Sequence, residues 1–142
     1  MSADPFSPES IVRTFFNALN ARDYRGAANA ISANCEWWSM PGEQVHRGPA
    51  AIVAGLDEFT RAFPDWRVDI DRITAAGNIA VTEWVTAGTF QGGSFRGRLP
   101  NGKAFRRRGC SVAEVRQGQI VHYRDYFDRV GLLEQLDLMD LL

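Results

Sequence analysis

The hydrophobic period of this chain changes once, near Trp66, and that change constrains the fold more than any other feature. Before it, apolar residues recur every three or four positions; after it, they alternate. Ser7-Pro8-Glu9 starts a helix with a cap, a first-turn proline and an acid at the positive end of the dipole. Ile11, Val12, Phe15, Phe16 and Leu19 then predict a helix from Pro8 to Arg22. Asp23 caps a second helix through Ile31, with Ala27, Ala28 and Ile31 on its buried side. Cys35 to Met40 reads as a short strand ended by Pro41-Gly42, and Gly48-Pro49 opens a third helix. Its stripe Ile52, Leu56, Phe59 and Phe63 stops before Pro64.

Beyond Trp66 the chain predicts long strands. Trp66, Val68 and Ile70 lead to a turn at Ala76-Gly77-Asn78, and Ile79 to Phe90 runs back. Gly92 to Gly102 is a loop or a ragged hairpin, and Lys103–Val115 with Ile120–Phe127 form a hairpin around Gln117-Gly118. Leu132, Leu133 and Leu136 close the chain as a short helix, with an apolar tail through Leu142. Helices before strands make an α+β domain, read as a single unit over residues 1–142. The helices must cover one face of a curved, largely antiparallel sheet, which leaves a cone-shaped cavity for a small hydrophobic molecule.

Charge narrows the partners. Sixteen basic and seventeen acidic side chains leave a net charge of −1, which argues against nucleic acid and anionic membranes. No apolar run approaches the ~20 residues that cross a bilayer, and the N-terminus lacks a leader's basic and apolar regions. The expected location is therefore cytoplasmic. Two histidines and two isolated cysteines give no metal-ligand spacing, Pro100-Asn101-Gly102-Lys103 is no phosphate loop, and no cofactor motif is present. Arg106-Arg107-Arg108, with Arg96, Arg98 and Lys103, is the one basic cluster, which alternation splits by sending Arg107 inward.

The last hairpin carries the chemistry. A type I turn with a glycine bulge at Gln117-Gly118 sets Asp125 opposite Gly109, Tyr123 opposite Ser111 and Phe127 opposite Arg107. The more apolar face then holds Arg107, Gly109, Ser111, Val121, Tyr123, Asp125 and Phe127, and looks inward. An inward carboxylate is desolvated, its pKa rises, and it becomes a usable general base. Arg107 could instead pair with it and lower the pKa, or stabilise a developing enolate. Glycine opposite Asp125 leaves room for a ligand, and Asp128 caps the closing helix. Trp37, Trp84, Phe90, Tyr123 and Phe127 are candidates to line the cavity, with Ser39, Thr86 and Ser111 as hydroxyls to orient a carbonyl. The alternative for the aromatics is plain core packing. His46 is a candidate for the cavity mouth, and His122 faces outward.

Phe63-Pro64-Asp65-Trp66, Gly88-Thr89-Phe90, Pro100-Asn101-Gly102-Lys103 and Leu132-Leu133-Glu134-Gln135-Leu136 together resemble SnoaL-like polyketide cyclases of the nuclear transport factor 2-like superfamily. The resemblance implies a cone-shaped α+β barrel, a homodimer through the outer sheet face, and a cofactor-free aldol ring closure with Asp125 as acid or base. Arg124-Asp125-Tyr126-Phe127-Asp128 also looks like the end of limonene-epoxide hydrolases, where this aspartate activates water. The arginine and second aspartate of those hydrolases fall here on Trp84 and Thr86. Their water-holding tyrosine and asparagine fall on Trp37 and Ser39. These four departures weaken the hydrolase reading. The cyclases' histidine has no clear counterpart; an isomerase acting through the same aspartate is a further enzymatic alternative, and a non-catalytic binding or dimerisation module is the non-enzyme reading.

Overall fold

The computed structural model describes residues 4–142; Met1–Ala3, the start of the stretch read for a leader, lie outside the described residues. Helix α1 (Pro8–Asn20) starts where Ser7 accepts a hydrogen bond from the Ser10 amide at 3.2 Å. Its stripe Val12, Phe15, Phe16 and Leu19 is buried. Each such side chain is worth about 1.5–3 kcal/mol, enough to hold a 13-residue helix that would be marginal alone.

Helix α2 (Tyr24–Asn29) is capped by Asp23 as expected but stops short of Ile31. Ile31 instead opens β1 (Ile31–Ser39), four residues earlier than the tryptophan-rich segment suggested, and pairs with Ile120. A β-branched residue fits the pleated, buried position better than a helix end. Strand β2 (Gln44–Arg47) was not foreseen, because four mostly polar residues carry no alternation signal. Helix α3 (Gly48–Ala62) ends before Phe63-Pro64. Strands β3 (Arg67–Ala76), β4 (Ile79–Thr89), β5 (Ala104–Arg116) and β6 (Gln119–Phe127) follow, then α4 (Arg129–Gln135) and a 3₁₀ turn at Met139–Leu141. Asp128 caps α4 through the Gly131 amide at 2.8 Å.

The six strands form one mixed sheet in the order β2-β1-β6-β5-β4-β3. Only β1 and β6 run parallel; every other neighbour is antiparallel. The sheet does not close on itself: β2 and β3 are free edges, so the cone is completed by helices and not by strands. Helix α1 crosses β3, β4 and β5, α3 leans on β1 and β2, and α4 rests on β5.

The final hairpin keeps the expected faces but not the expected partners. Gln117 and Gly118 have φ of 52° and 75°, so the connection is a two-residue primed turn closed by Arg116 and Gln119. That turn alone would flip the strand by one residue. A bulge at Val121 restores parity, so Glu114 faces His122 and Ser111 faces Asp125. Val121 is thus the unpaired bulge residue, while Ile120 takes the fully buried place. Gly109 lies opposite Trp84 and Phe127, not Asp125. A Cβ there would stand 2.7 Å from Trp84 Cζ2, so the indole fills the space that glycine leaves.

No helix among the described residues is long and apolar enough to cross a membrane.

Candidate active site

The concave face of the sheet and three helices enclose a cavity of about 320 Å³. Helix α1 contributes Phe16 and Leu19, α3 contributes Ile52, Leu56 and Phe59, and α4 contributes Leu132 and Leu133. This explains why Leu56 and Phe59 are only half-buried despite lying on the apolar stripe of α3: they face the cavity.

Asp125 stands on the sheet wall of that cavity, between Ser39 of β1 and Ser111 of β5. Its Oδ1 accepts from the Ser111 hydroxyl at 2.5 Å and its Oδ2 from the Trp37 indole N–H at 3.1 Å. The Ser111 oxygen in turn accepts from the Trp84 indole N–H at 2.7 Å. Two tryptophans from strands on opposite sides of β6 and β5 therefore converge on one carboxylate, one directly and one through a serine. The Tyr123 ring stacks on Trp37 at 3.8 Å between centroids and walls the site on the α1 side, where Phe15 packs against both.

Burial pushes the Asp125 pKa up to about 6, although Ser111, Arg107, Trp37 and Tyr123 all favour its charged form. Desolvation wins over four stabilising neighbours. The residue is half-exposed only toward the cavity, so the carboxyl meets solvent or ligand there and protein elsewhere. Burial and the charge of Asp125 also hold the Tyr123 phenol well above its ordinary range, so it stays protonated.

Arg107 reaches the cavity from β5, directly opposite Thr86. Its Nε donates to Thr86 Oγ1 at 3.2 Å, and its guanidinium lies 4.2 Å from the Phe127 ring centre and within 6.0 Å of Phe105 and Trp84. It forms no ion pair with Asp125; the two act on each other through space, and Arg107 Nη1 is buried without a hydrogen-bond partner. Burial lowers the Arg107 pKa to about 10, still charged at neutral pH. Of the two sequence-level alternatives, the neutralising pair is not what the geometry shows.

The remaining candidates divide. Trp37, Ser39, His46, Trp84, Thr86, Tyr123 and Phe127 reach the cavity wall. Two do not. Phe90 is fully buried in a cluster with Phe63 and Phe95, and Ser111 sits behind Asp125 with 1% exposure, touching the carboxylate but not the cavity. His122 lies on the other sheet face, 3.9 Å from Glu36. Sequence reasoning missed Arg129 and Gln44, both on the wall. Arg129 begins α4, and no periodicity marks a helix start as facing a cavity. The basic cluster dissolves: Arg108 pairs with Asp71 at 2.5 Å and Arg98 pairs with Asp140, while Arg96 and Arg107 turn toward the cavity. Among the described residues, no group of three or more His, Cys, Asp or Glu side chains is arranged to hold a metal.

The family model for SnoaL-like polyketide cyclases matches residues 9–136. The chain belongs to this family. Among solved structures, a proposed SnoaL-like polyketide cyclase of Jannaschia sp. CCS1 superposes with a TM-score of 0.84 at 17% identity, covering 96% of each chain. IdmH of Streptomyces antibioticus, a proposed polyketide cyclase, gives 0.79 at 22% identity over 92% of this chain and 98% of its own. An LEH-like epoxide hydrolase of M. tuberculosis gives 0.73 at 24% identity over 94% and 92%. A neighbour from Catenulispora acidiphila is described as having a ketosteroid isomerase-like fold. These likenesses establish the shared fold. No curated protein sequence matches the chain.

Proposed function

We propose that this SnoaL-like protein is a cofactor-independent enzyme, one cytoplasmic domain, that closes or rearranges a ring on a hydrophobic carbonyl compound. The observation that carries the reading is a carboxylate set into the wall of a largely apolar cavity, where burial pushes its pKa up to about 6. A base poised near the working pH is what proton abstraction beside a carbonyl requires. Asp125 takes the α-proton, and the enolate oxygen develops its charge beside Arg107, whose Nη1 has no other partner. The enolate carbon then attacks a second carbonyl of the same molecule, and the alkoxide formed takes the proton back from Asp125. Trp37, Trp84, Tyr123 and Phe127 give the wall its shape by their edges, since Trp37 and Tyr123 stack on each other and Arg107 lies over Phe127.

Water activation on an epoxide is the weaker reading. The positions that would hold the hydrolase's charged partners carry Trp84 and Thr86, already bonded to Ser111 and Arg107. A homodimer through the outer sheet face accompanies the proposal; Tyr126 is 41% exposed there, on the strand that carries Asp125. The direct test is proton exchange at the α-carbon, and ring closure, on cyclic monoketones that carry a second carbonyl on a side chain. Wild-type protein is expected to exchange the proton and Asp125→Asn to lose about 10²–10⁴-fold. Equal exchange by both proteins would leave only a binding module.

A further inference from the structure

The cavity holds one carboxylate on its sheet wall but three arginines. Arg96, Arg107 and Arg129 all line it, and among the described residues none of them forms an ion pair with a carboxylate. Of the twelve other arginines, eight are paired with Asp or Glu on the surface and Arg22, Arg25, Arg106 and Arg124 are not. Two of the three cavity arginines carry a buried nitrogen with no hydrogen-bond partner, Nη1 of Arg107 and Nε of Arg129. Arg129 otherwise reaches only the Leu141 carbonyl, at 3.4 Å. Arg96 and Arg129 are close enough that burial and the charge of Arg129 together hold the Arg96 pKa down. Arg96 is exposed and Arg129 half-buried, so water answers part of this repulsion, and a bound anion would answer the rest.

The backbone adds an independent sign. Phe95 and Arg98 exchange two hydrogen bonds of 2.9 Å, closing a two-residue turn in which Arg96 has φ of 50° and Gly97 of 79°. Glycine or asparagine ordinarily takes the first of those places. Gln117 accepts the same conformation in the β5–β6 turn, but at Arg96 the turn also returns a charged side chain over Phe95 to the cavity.

We propose that the substrate is an anion: a hydrophobic carbonyl compound bearing a carboxylate, which Arg96 and Arg129 receive together while the reacting carbonyl lies against Arg107. The assignment of the carbonyl to Arg107 rests on the enzymatic reading above; the carboxylate seat does not. Glu58, the other acid on the cavity wall, is exposed on α3, and His46 completes the titratable groups facing the cavity. The seat therefore selects a permanent anion, and the enolate formed during turnover is served by the deeper arginine.

The test uses the whole chain with 2-naphthoate and methyl 2-naphthoate, read by quenching of tryptophan fluorescence. The acid is expected to bind about 10- to 100-fold tighter than the ester, as for a charge-assisted pair. Added salt should erode that ratio. Arg96→Gly should abolish most of the preference while keeping the Tm at or above wild type, because glycine suits the turn; Arg129→Gln should also abolish it. Asp125→Asn should keep the preference while losing proton exchange, which separates the carboxylate seat from the acid–base reading. Equal affinity for acid and ester, no binding of the acid at millimolar concentration, or a preference that survives both arginine variants would overturn the proposal.

Discussion

Two aromatic clusters occupy this small protein, and they do opposite things. One is made of Phe59, Phe63, Phe90, Phe95 and Phe105, packed largely edge to face at centroid distances of 4.6–6.3 Å. Its phenylalanines carry no polar side-chain atom, Trp66 packs edge-on against Phe59 with its N–H on Thr60, and the cluster holds the end of α3 to the sheet and to the loop after β4. The other is Trp37, Tyr123 and Phe15, with Trp84 joined to it through Ser111 and Asp125; the N–H of Trp37 and of Trp84 is directed at Asp125 or at the serine that binds it. Phenylalanine fills volume, whereas tryptophan fills volume and brings a donor into a place where water does not reach. The difference teaches why the carboxylate is tolerated inside: the second cluster satisfies its oxygens without neutralising it. Asp125 is left hydrogen-bonded, desolvated and poised, while the first cluster stays indifferent to pH.

The largest effect expected from breaking this contrast is chemical. Asp125→Asn should lower α-proton exchange by about 10²–10⁴-fold while the far-ultraviolet circular dichroism spectrum stays the same. Next comes packing. Phe63→Ala, in the all-phenylalanine cluster, should cost about 3–5 kcal/mol in urea unfolding and leave the Asp125 pKa where it was.

A third prediction concerns pH. The folded-state pKa of Asp125 lies above its ordinary value of 3.8, at about 6. The folded protein thus holds this proton more tightly than the unfolded chain does. The group favours folding below the unfolded pKa, loses that contribution as pH rises toward 6, and is a net burden above it. Asp125→Asn should therefore raise stability at pH 8 by about 1–3 kcal/mol and do little at pH 4, measured by thermal unfolding at both pH values. The groups facing the carboxylate are Ser111, Trp37, Tyr123 and Arg107; of these Arg107 keeps its charge and Tyr123 its proton throughout that range. The smallest effect sharpens the comparison most. Trp37→Phe keeps the aromatic volume but removes one donor, and should raise the Asp125 pKa further, by up to about one unit.

How far the sequence led can be judged from particular elements. The change of period at Trp66 announced three helices followed by long strands, because amphipathic stripes and alternation are local signals that burial enforces. The inward direction of Asp125 was legible for the same reason, since a sheet with one covered face fixes parity. Its partner on β5 was not. That depended on Gln117 accepting a left-handed conformation and on a bulge at Val121, which cancel in parity but shift the pairing by two residues. Open closure of the cone was likewise hidden, because whether β2 meets β3 depends on sheet curvature, which no local pattern encodes. The placement of Phe90 shows a further limit: alternation gave its face of the strand but not that Phe63 and Phe95 seal it from the cavity. Arg129 and the inward turn of Arg96 belong to a cavity mouth assembled from a helix start and a loop tip, far apart in the chain.

The central claim is that tryptophan and serine donors hold Asp125 inside the cavity without making it a strong acid. Carboxyl-detected NMR titration of wild-type protein, with Asp125→Asn identifying the signal, tests that claim directly. The account predicts a midpoint near 6. A midpoint at or below the ~3.9 of a free aspartate would contradict it, and would mean that Arg107 or solvent, and not desolvation, governs the site.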